Sequence, residues 1–452
     1  MFEKKEGKRN FKIENVVAVV LEDRKIKGEK ITMKKFFAKL ALAGLVLTSL
    51  PFNALESVSA QEKVKINFIN GFTGGDGAFM KKITDGFNAS QDKYEINEVQ
   101  EPDHYTKFST GDFDLVVMHN TNIATFKADG MIQDMSGIFE KAGLSLDDFH
   151  SAAKDVVQFS DGGIYGAPLD IHPLTTFYNK EFVEKAPENI EDLKAINEKV
   201  KAENEQLFAL GIPDTGLIEF YIFLIAAQNN IDLLKDGYLN FNQEAMADAL
   251  MTFHDLIYKD KVSPAGLGLD GEFQAFMSQA SADTVQTVVS LTGPWYYQAV
   301  RDTYGDKLGI AHIPNLGKTP ALYGNGHNIS VAASVTDEDK LAGIAEFFSY
   351  LYQPENLINW ADAGQAPLHL ATMKLIEENK DKYPLAYQNQ TQFDNYVAAP
   401  KVYQFGEQVR YMNETVFGRL VREENLTKED LMKDLEQATQ LAQEIGSMGS
   451  VE

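Results

Sequence analysis

Residues 162–180 read GGIYGAPLDIHPLTTFYNK, a turn-rich start that leads into a β-branched and aromatic run. That run, 175–178, predicts a strand. Asp170 and His172 stand before it, between two prolines and inside an apolar stretch that is expected to be buried. Burying an unpaired charge costs on the order of several kcal/mol. The stretch therefore raises the question of which groups Asp170 and His172 contact there.

Composition places the chain among globular proteins with more than one core. It has 452 residues, of which 44% are hydrophobic and 11% aromatic, enough for two or three core units. It has no cysteine, which excludes thiolate metal sites, cysteine nucleophiles and a lipid-modified cysteine anchor. The formal net charge of −24 disfavours nucleic acid and anionic lipid as partners.

The N-terminal region predicts export. Residues 33–39 are basic, and the apolar run 40–50 is too short to span a bilayer. Small residues at 58 and 60 fit a cleavage site, so we predict a cleavable signal peptide at 33–60. Residues 1–32 are then a mis-called extension ahead of the true start at Met33. Without an anchoring cysteine, the expected location of the exported protein is the periplasm.

Alternating strands and helices predict an α/β architecture. The continuous apolar run 114–118 is typical of a strand buried in a parallel sheet. The other predicted strands are 64–69, 94–99, 175–178, 285–291, 308–313 and 327–333. The main predicted helices are 78–87, 188–204, 217–227, 243–258, 337–351, 354–363, 370–379, 406–423 and 427–445.

Polar and aromatic side chains recur just after predicted strands or in the loop quoted above. They are Phe72, Thr73, His119, Asn120, Asp170, His172, Trp295 and Tyr296. In open α/β sheets ligands bind beyond the carboxyl ends of strands, so this shared position predicts a binding site. The eight histidines show no ligand spacing, and a G-x-G-x-x-G match at 266–271 lacks a preceding strand. We expect neither a metal nor a cofactor.

Six short stretches together resemble a known family, the extracellular solute-binding proteins of ABC importers, in the carbohydrate-binding branch that includes maltose-binding proteins. They are ING at 69–71, DGMIQDM at 129–135, GIYGAPLDIHP with FYNK at 163–180, LTGPW at 291–295, GNGH at 324–327 and WADAGQAP at 360–367. Their order and spacing cover nearly all of residues 61–452.

The resemblance implies a two-lobe periplasmic-binding-protein fold of α/β class, with a hinged cleft between the lobes. The chain would cross between the lobes near 172–174, 305–308 and 352. The N-terminal lobe would comprise 61–172 and 308–352, and the C-terminal lobe 173–307 and 353–452.

The resemblance also implies site residues. It adds Glu219 and Tyr221 at the start of an apolar helix, and it supports Trp295, His172 and Asp170. At the first loop this chain has Phe72 and Thr73 where maltose-type members carry charged groups, which disfavours maltose itself. Further candidates to contact the ligand are Tyr323, Asn325 and His327.

The predicted function is capture of a mono- or oligosaccharide by a monomeric binding protein that hands it unchanged to a membrane permease. Aromatic rings would cover sugar faces, and carboxylate, amide and imidazole groups would bind the hydroxyls. Alternatives are a polyol, a glycerol phosphate or another small metabolite as ligand, a sensor role, or a secreted glycosidase using Asp170 and Glu219. The residues do not discriminate among sugars.

Overall fold

The computed structural model of the protein describes residues 62–73 and 75–451. The predicted extension at 1–32 and signal peptide at 33–60 lie outside these residues. Helices and strands alternate through most of the described chain. In this part of the protein no helix combines the length and apolar character needed to cross a bilayer.

The strands are β1 (Val64–Asn70), β2 (Tyr94–Gln100), β3 (Leu115–His119), β4 (Ala167–Pro168), β5 (His172–Pro173), β6 (Thr175–Asn179), β7 (Leu207–Leu210), β8 (Leu234–Lys235), β9 (Tyr238–Leu239), β10 (Gln286–Thr292), β11 (Leu308–Ala311), β12 (Leu322–Asn325), β13 (His327–Val331) and β14 (Tyr396–Val397). The predicted strands at 64–69, 94–99 and 114–118 are confirmed as β1, β2 and β3.

The α-helices are α1 (Gly77–Ser90), α2 (His104–Thr110), α3 (Asn120–Ala128), α4 (Ser136–Ala142), α5 (Ser151–Val157), α6 (Ile190–Glu203), α7 (Ile218–Gln228), α8 (Glu244–Tyr258), α9 (Gly271–Met277), α10 (Tyr297–Tyr304), α11 (Glu338–Leu351), α12 (Pro354–Asp362), α13 (Leu370–Glu378), α14 (Pro384–Gln390), α15 (Phe405–Tyr411), α16 (Phe417–Arg422) and α17 (Lys428–Gly446). The predicted helix 406–423 is interrupted by a π-helical segment at Met412–Val416.

The first sheet has the order β2-β1-β3-β13-β4. β1 runs parallel to both β2 and β3, whereas β13 is antiparallel to β3 and β4. Residues 115–118 are all buried, as a strand covered on both faces requires. The carboxyl end of β3 therefore meets the start of β13, and His119 lies directly opposite His327.

The second sheet has the order β11-β6-β10-β7. β10 is parallel to β7 and antiparallel to β6, which is itself antiparallel to β11. A small third sheet, β14-β12-β5, pairs Asn325 with His172. These pairings connect the start of β13 with the segment that leads into the second sheet.

Each large sheet belongs to its own hydrophobic core. Ile171 packs in the core of the first sheet, and Leu174 packs in the core of the second. The chain thus passes from one core to the other across β5. A protein of this length is expected to divide its apolar residues between separate cores in this way.

The later crossings differ from the predicted boundaries. The sequence analysis assigns 308–352 to the N-terminal lobe, but β11 pairs with β6 in the second sheet. It assigns 353–452 to the C-terminal lobe, but Leu357 and Trp360 of α12 pack in the first core. The expected boundaries come from the family resemblance, which does not specify how each strand or helix of this chain packs.

A carboxyl group in the second core has an unusual environment. Glu272 of α9 has no solvent-exposed surface, and its Oε1 accepts a hydrogen bond from the Thr292 hydroxyl at 2.8 Å. Burial raises the pKa of Glu272 from 4.5 to about 7. The folded protein therefore holds this proton over a pH range in which the unfolded chain has lost it.

We predict that Glu272→Gln removes a pH-dependent loss of stability. Between pH 4.5 and about 7 the folded state binds more protons at this site than the unfolded state, so stability falls as pH rises. As the pH is raised from 5 to 8, the free energy of unfolding of the unchanged protein should therefore fall relative to that of the variant by on the order of 3 kcal/mol. Urea unfolding at both pH values measures this difference. Glu436→Gln, at an exposed position, is the matched control. The prediction would be contradicted if the free energy of unfolding changed equally with pH in the unchanged protein and in both variants.

Candidate functional site

A cavity of about 290 Å³ lies where the two cores approach each other. Its lining comes from strand ends of the first sheet, from the crossing segment and from the second lobe. The lining residues are Gly71, Phe72, Asp76, His104, Val117, His119, His172, Phe220, Trp295, Asn325, His327 and Gln365. Aromatic rings and polar side chains thus line one partly open cavity.

The carboxylate of Asp170 lies directly behind this cavity and is 1% exposed. Oδ1 accepts a hydrogen bond from His172 Nδ1 at 2.9 Å, and Oδ2 accepts one from His327 Nδ1 at 2.9 Å. Trp360 Nε1 also donates to Oδ2, at 2.6 Å. A buried carboxylate with this many donors keeps its charge and fixes the orientation of the rings around it.

Electrostatics within this cluster favour an ionised Asp170. Burial alone would raise the pKa of Asp170, but His327 and His172 outweigh burial and hold the pKa well below its usual range. Burial would likewise lower the pKa of His327, but the Asp170 charge outweighs it and the pKa is raised. The pKa of His172 is lowered, first by burial and then by the charge of His327.

His119 is oriented separately, by a tyrosine. Its Nδ1 lies 2.8 Å from Tyr105 Oη, which also accepts a hydrogen bond from the His119 backbone N–H at 2.8 Å. Burial, with the charges of the neighbouring histidines, lowers the pKa of His119 well below 6.5. His119 is therefore neutral at physiological pH.

The backbone makes this grouping possible at Gly326. A Cβ at this position would lie 2.3 Å from the Asp170 carbonyl oxygen, which is closer than any real contact. The chain between β12 and β13 can therefore approach Asp170 only if it carries no side chain there. This approach brings His327 against Asp170 and sets Asn325 opposite His172.

Aromatic rings form the apolar walls. Phe72 is buried, and its ring centroid lies 4.8 Å from that of His327 in an edge-on arrangement. Trp295 is 37% exposed, and its ring lies 5.9 Å from His172 and 6.1 Å from Phe220. Trp295 is therefore an open aromatic face at the rim, whereas Phe72 closes the far side.

Several predicted site residues line this cavity. They are Phe72, His119, His172, Trp295, Asn325 and His327. Asp170 lies one layer behind them, bonded to two of these histidines. Asn120 is also behind the lining, with its amide 2.7 Å from Asn328 Nδ2 and 3.1 Å from Tyr396 Oη.

The remaining predicted residues lie elsewhere. Tyr221 has no exposed surface, donates to the Leu291 carbonyl within the second core and is not part of the cavity lining. Glu219 accepts a hydrogen bond from Tyr323 Oη at 2.7 Å, and burial raises the pKa of Glu219.

Tyr323 lines a different cavity, between α7 and the segment after β14. Tyr296 stacks on Phe273 at 4.0 Å, and Thr73 is exposed; neither is part of the lining described above. Tyr323 packs against the region of α7, and Tyr296 follows β10, where adjacent side chains point in different directions.

The sequence analysis misses Asp76, His104, Phe220 and Gln365. Gln365 is 1% exposed, and its Oε1 has no hydrogen-bond partner within the described part of the chain. Burial raises the pKa of Asp76 and lowers the pKa of His104. The WADAGQAP stretch contains Gln365 and is the signal that could have pointed to it.

Comparisons with known proteins agree with this architecture. The profile of the bacterial extracellular solute-binding protein family matches residues 82–368, more than half of the chain. A maltooligosaccharide ABC transporter solute-binding lipoprotein of Streptococcus pneumoniae strain ATCC BAA-255 / R6 is 23% identical over 303 residues, which are 64% of this chain and 67% of the relative.

A second relative is the sn-glycerol-3-phosphate-binding periplasmic protein of Yersinia pestis bv. Antiqua strain Antiqua, 23% identical over 346 residues, 71% of this chain and 78% of its own length. Among solved structures, maltose-bound MalE3 of T. maritima superimposes with a TM-score of 0.69 at 19% identity, covering 83% of this chain and 99% of that one. The fold is thus the two-lobe solute-binding fold, and the chain belongs to the bacterial extracellular solute-binding protein family.

Proposed function

We propose that this protein captures a carbohydrate in the cavity between its cores and delivers it unchanged to an ABC importer. The observation that carries the proposal is the composition of the cavity, where aromatic walls meet imidazole, amide and carboxyl groups. A sugar ring has two apolar C–H faces and a hydroxylated rim. Trp295 and Phe72 suit the faces, and the imidazoles, Asn325 and Gln365 suit the rim.

The hydrogen-bonding character of the rim also fits hydroxyl groups. Because Asp170 accepts from Nδ1 of His172 and of His327, Nε2 of the neutral His172 ring is an acceptor, whereas Nε2 of His327 donates whenever that ring is protonated. The Oε1 atom of Gln365 is a further acceptor, and no donor within residues 62–73 and 75–451 bonds to it. A hydroxyl can donate to one such atom and accept from the Asn325 amide, so a polyhydroxylated ligand would complete these bonds.

A phosphorylated ligand is the second candidate, since one relative is a glycerol-3-phosphate-binding protein. The cavity lining contains no Lys or Arg, and it includes the carboxyl group of Asp76. Phosphate recognition favours Arg forks or other positive donors. These charges support an uncharged sugar or polyol over a phosphate ester.

A glycosidase role has little support in the geometry. Asp170, one member of the pair considered above, has its oxygens occupied by buried donors. Glu219, the other member, bonds Tyr323 and does not line the cavity. The relatives named above are binding proteins, which agrees with a carrier that does no chemistry on its ligand.

Lobe boundaries that follow the two cores would allow the protein to close on its ligand. We propose crossings at β5, between β11 and β13, and after α12, with His172 next to the first crossing. A ligand that touches the first lobe at Phe72 and the second at Trp295 would bind the closed state more tightly than the open one. The permease would then recognise the closed form.

The cellular context follows from the same proposal. We place the protein outside the cytoplasm, exported by the signal peptide at 33–60 and free in the periplasm as a monomer. Its partners would be the ligand and the permease subunits. The net charge of −24 disfavours nucleic acid as a partner.

A carbohydrate panel tests the ligand class. We expect at least one mono- or oligosaccharide to raise the melting temperature, because a ligand at 100 times its Kd stabilises the folded state by about 2.7 kcal/mol. Chromatography of the recovered ligand should show it intact. A shift with glycerol phosphates but with no sugar would contradict the proposal, and so would hydrolysis of an oligosaccharide.

Trp295, at the rim of the cavity, gives a second test, which concerns where the sugar binds. Trp295→Ala should weaken binding of the sugar found in that panel by about 30-fold, since loss of stacking over roughly 80 Å² costs about 2 kcal/mol. Isothermal titration calorimetry measures the change. Tyr411→Ala, a partly exposed tyrosine on α15, is the control and should bind like the unchanged protein. Equal affinity for the Trp295 variant would exclude the cavity as the sugar site.

A further inference from the structure

Three histidines that are far apart in the sequence meet at one end of the cavity. One ring nitrogen from each of His119, His172 and His327 lies within 4.8 Å of the other two. His119 and His327 are paired residues of β3 and β13, and His172 lies on β5 beside them. All three line the cavity. Strand register, rather than a flexible loop, therefore holds this histidine trio together.

The Nδ1 atoms of the trio are already engaged. Asp170 accepts hydrogen bonds from Nδ1 of His172 and His327, so Nε2 is the remaining nitrogen of each ring, and it carries a lone pair when the ring is neutral. A carboxylate that orients an imidazole through Nδ1 is the usual support for a metal-binding histidine. Here one carboxylate supports two of them, and Trp360 fixes the carboxylate.

His119 can present Nε2 in the same way. Tyr105 Oη accepts from the His119 backbone N–H, and it lies 2.8 Å from Nδ1. If the tyrosine proton turns away, Nδ1–H donates to Oη and the lone pair falls on Nε2. Both tautomers of neutral histidine are close in energy, so a cation in the cavity would select this one.

We propose that His119, His172 and His327 bind a divalent transition-metal ion of the zinc type through Nε2, with one coordination position open to the cavity. Neutral imidazoles suit zinc, copper and nickel, whereas calcium and magnesium require oxygen ligands. Three protein ligands with an open fourth position are the arrangement of non-structural zinc sites. The open position would coordinate an oxygen of the bound ligand.

The geometry requires a modest contraction. Zinc–nitrogen bonds of about 2.0–2.1 Å in a tetrahedron set nitrogen–nitrogen distances of about 3.3 Å. One ring nitrogen of each histidine lies within 4.8 Å of the others, so a trio that binds through these atoms would close by at most roughly 1.5 Å. Asp76 lines the same cavity and would help to balance the added positive charge.

Metal binding is tested without carbohydrate, so this proposal and the proposed function can fail separately. Full-length exported protein without an affinity tag is stripped with a chelator and titrated with Zn²⁺ against a fluorescent chelator. We expect one equivalent to bind. Cobalt(II) in place of zinc should give the intense visible absorption of a four-coordinate site.

Variants locate the ion. His119→Ala and His172→Ala should each weaken zinc binding by at least about 100-fold, because loss of a ligand exceeds the effect of losing a supporting group. His312→Ala removes an exposed histidine outside the trio and should leave the affinity unchanged. Circular dichroism confirms that each variant is folded, and His327→Ala replaces any variant that is not.

Two results would overturn the proposal. One is zinc binding of less than one equivalent at micromolar protein together with no cobalt absorption. The other is binding that persists in folded variants of the trio, which would place the ion elsewhere. Sugar binding that survives either result would leave the proposed function standing.

Discussion

The Asp170 carboxylate is buried among donors from three separate parts of the chain. His172 comes from the crossing segment, His327 from β13 of the first sheet, and Trp360 from α12. An unpaired charge in this position would be strongly destabilising, so the chain must bring these donors together for the first core to close against the crossing. The same contact orients two of the imidazoles that line the cavity.

A ligand site follows from this constraint. Once Asp170 has fixed Nδ1 of two rings, their Nε2 atoms can bond only to something that enters the cavity. Phe72 and Trp295 then supply apolar surface on opposite sides, one in each lobe. Under the proposed function, structural support and ligand recognition would use the same residues, which would account for a charged cluster in an otherwise apolar region. If the histidine trio binds a cation, the residues around Asp170 would also serve in metal binding, besides structural support and ligand recognition.

Much of the fold could be predicted from local pattern. The continuous apolar run at 114–118 indicates a buried parallel strand, and the positions just after strands indicate the ligand site, because strand ends meet at a sheet edge. What local pattern cannot supply is register and partner choice. The pairing of His119 with His327, the place of β11 in the second sheet and the short strand β12 all depend on tertiary contacts.

Tyr221 is a candidate because of the family resemblance, which does not encode how its helix packs in this chain. Helix α7 is buried along nearly its whole length, so hydrophobic periodicity does not reveal which side faces the cavity. The structure turns Phe220 towards the cavity and Tyr221 into the core. Gln365 lies in the WADAGQAP stretch, which marks it as a candidate, whereas the sequence around Asp76 and His104 does not indicate that they line the same cavity.

The free energy of unfolding of Asp170→Asn tests the central claim most directly. Asparagine keeps the size of the side chain but removes its charge and presents an N–H₂ group to one of the donors. Urea unfolding near pH 7 should show a loss of about 3–5 kcal/mol, the usual cost of breaking a buried charged cluster. A loss within about 0.5 kcal/mol, the range of ordinary surface substitutions, would show that the cluster does not hold this part of the fold together.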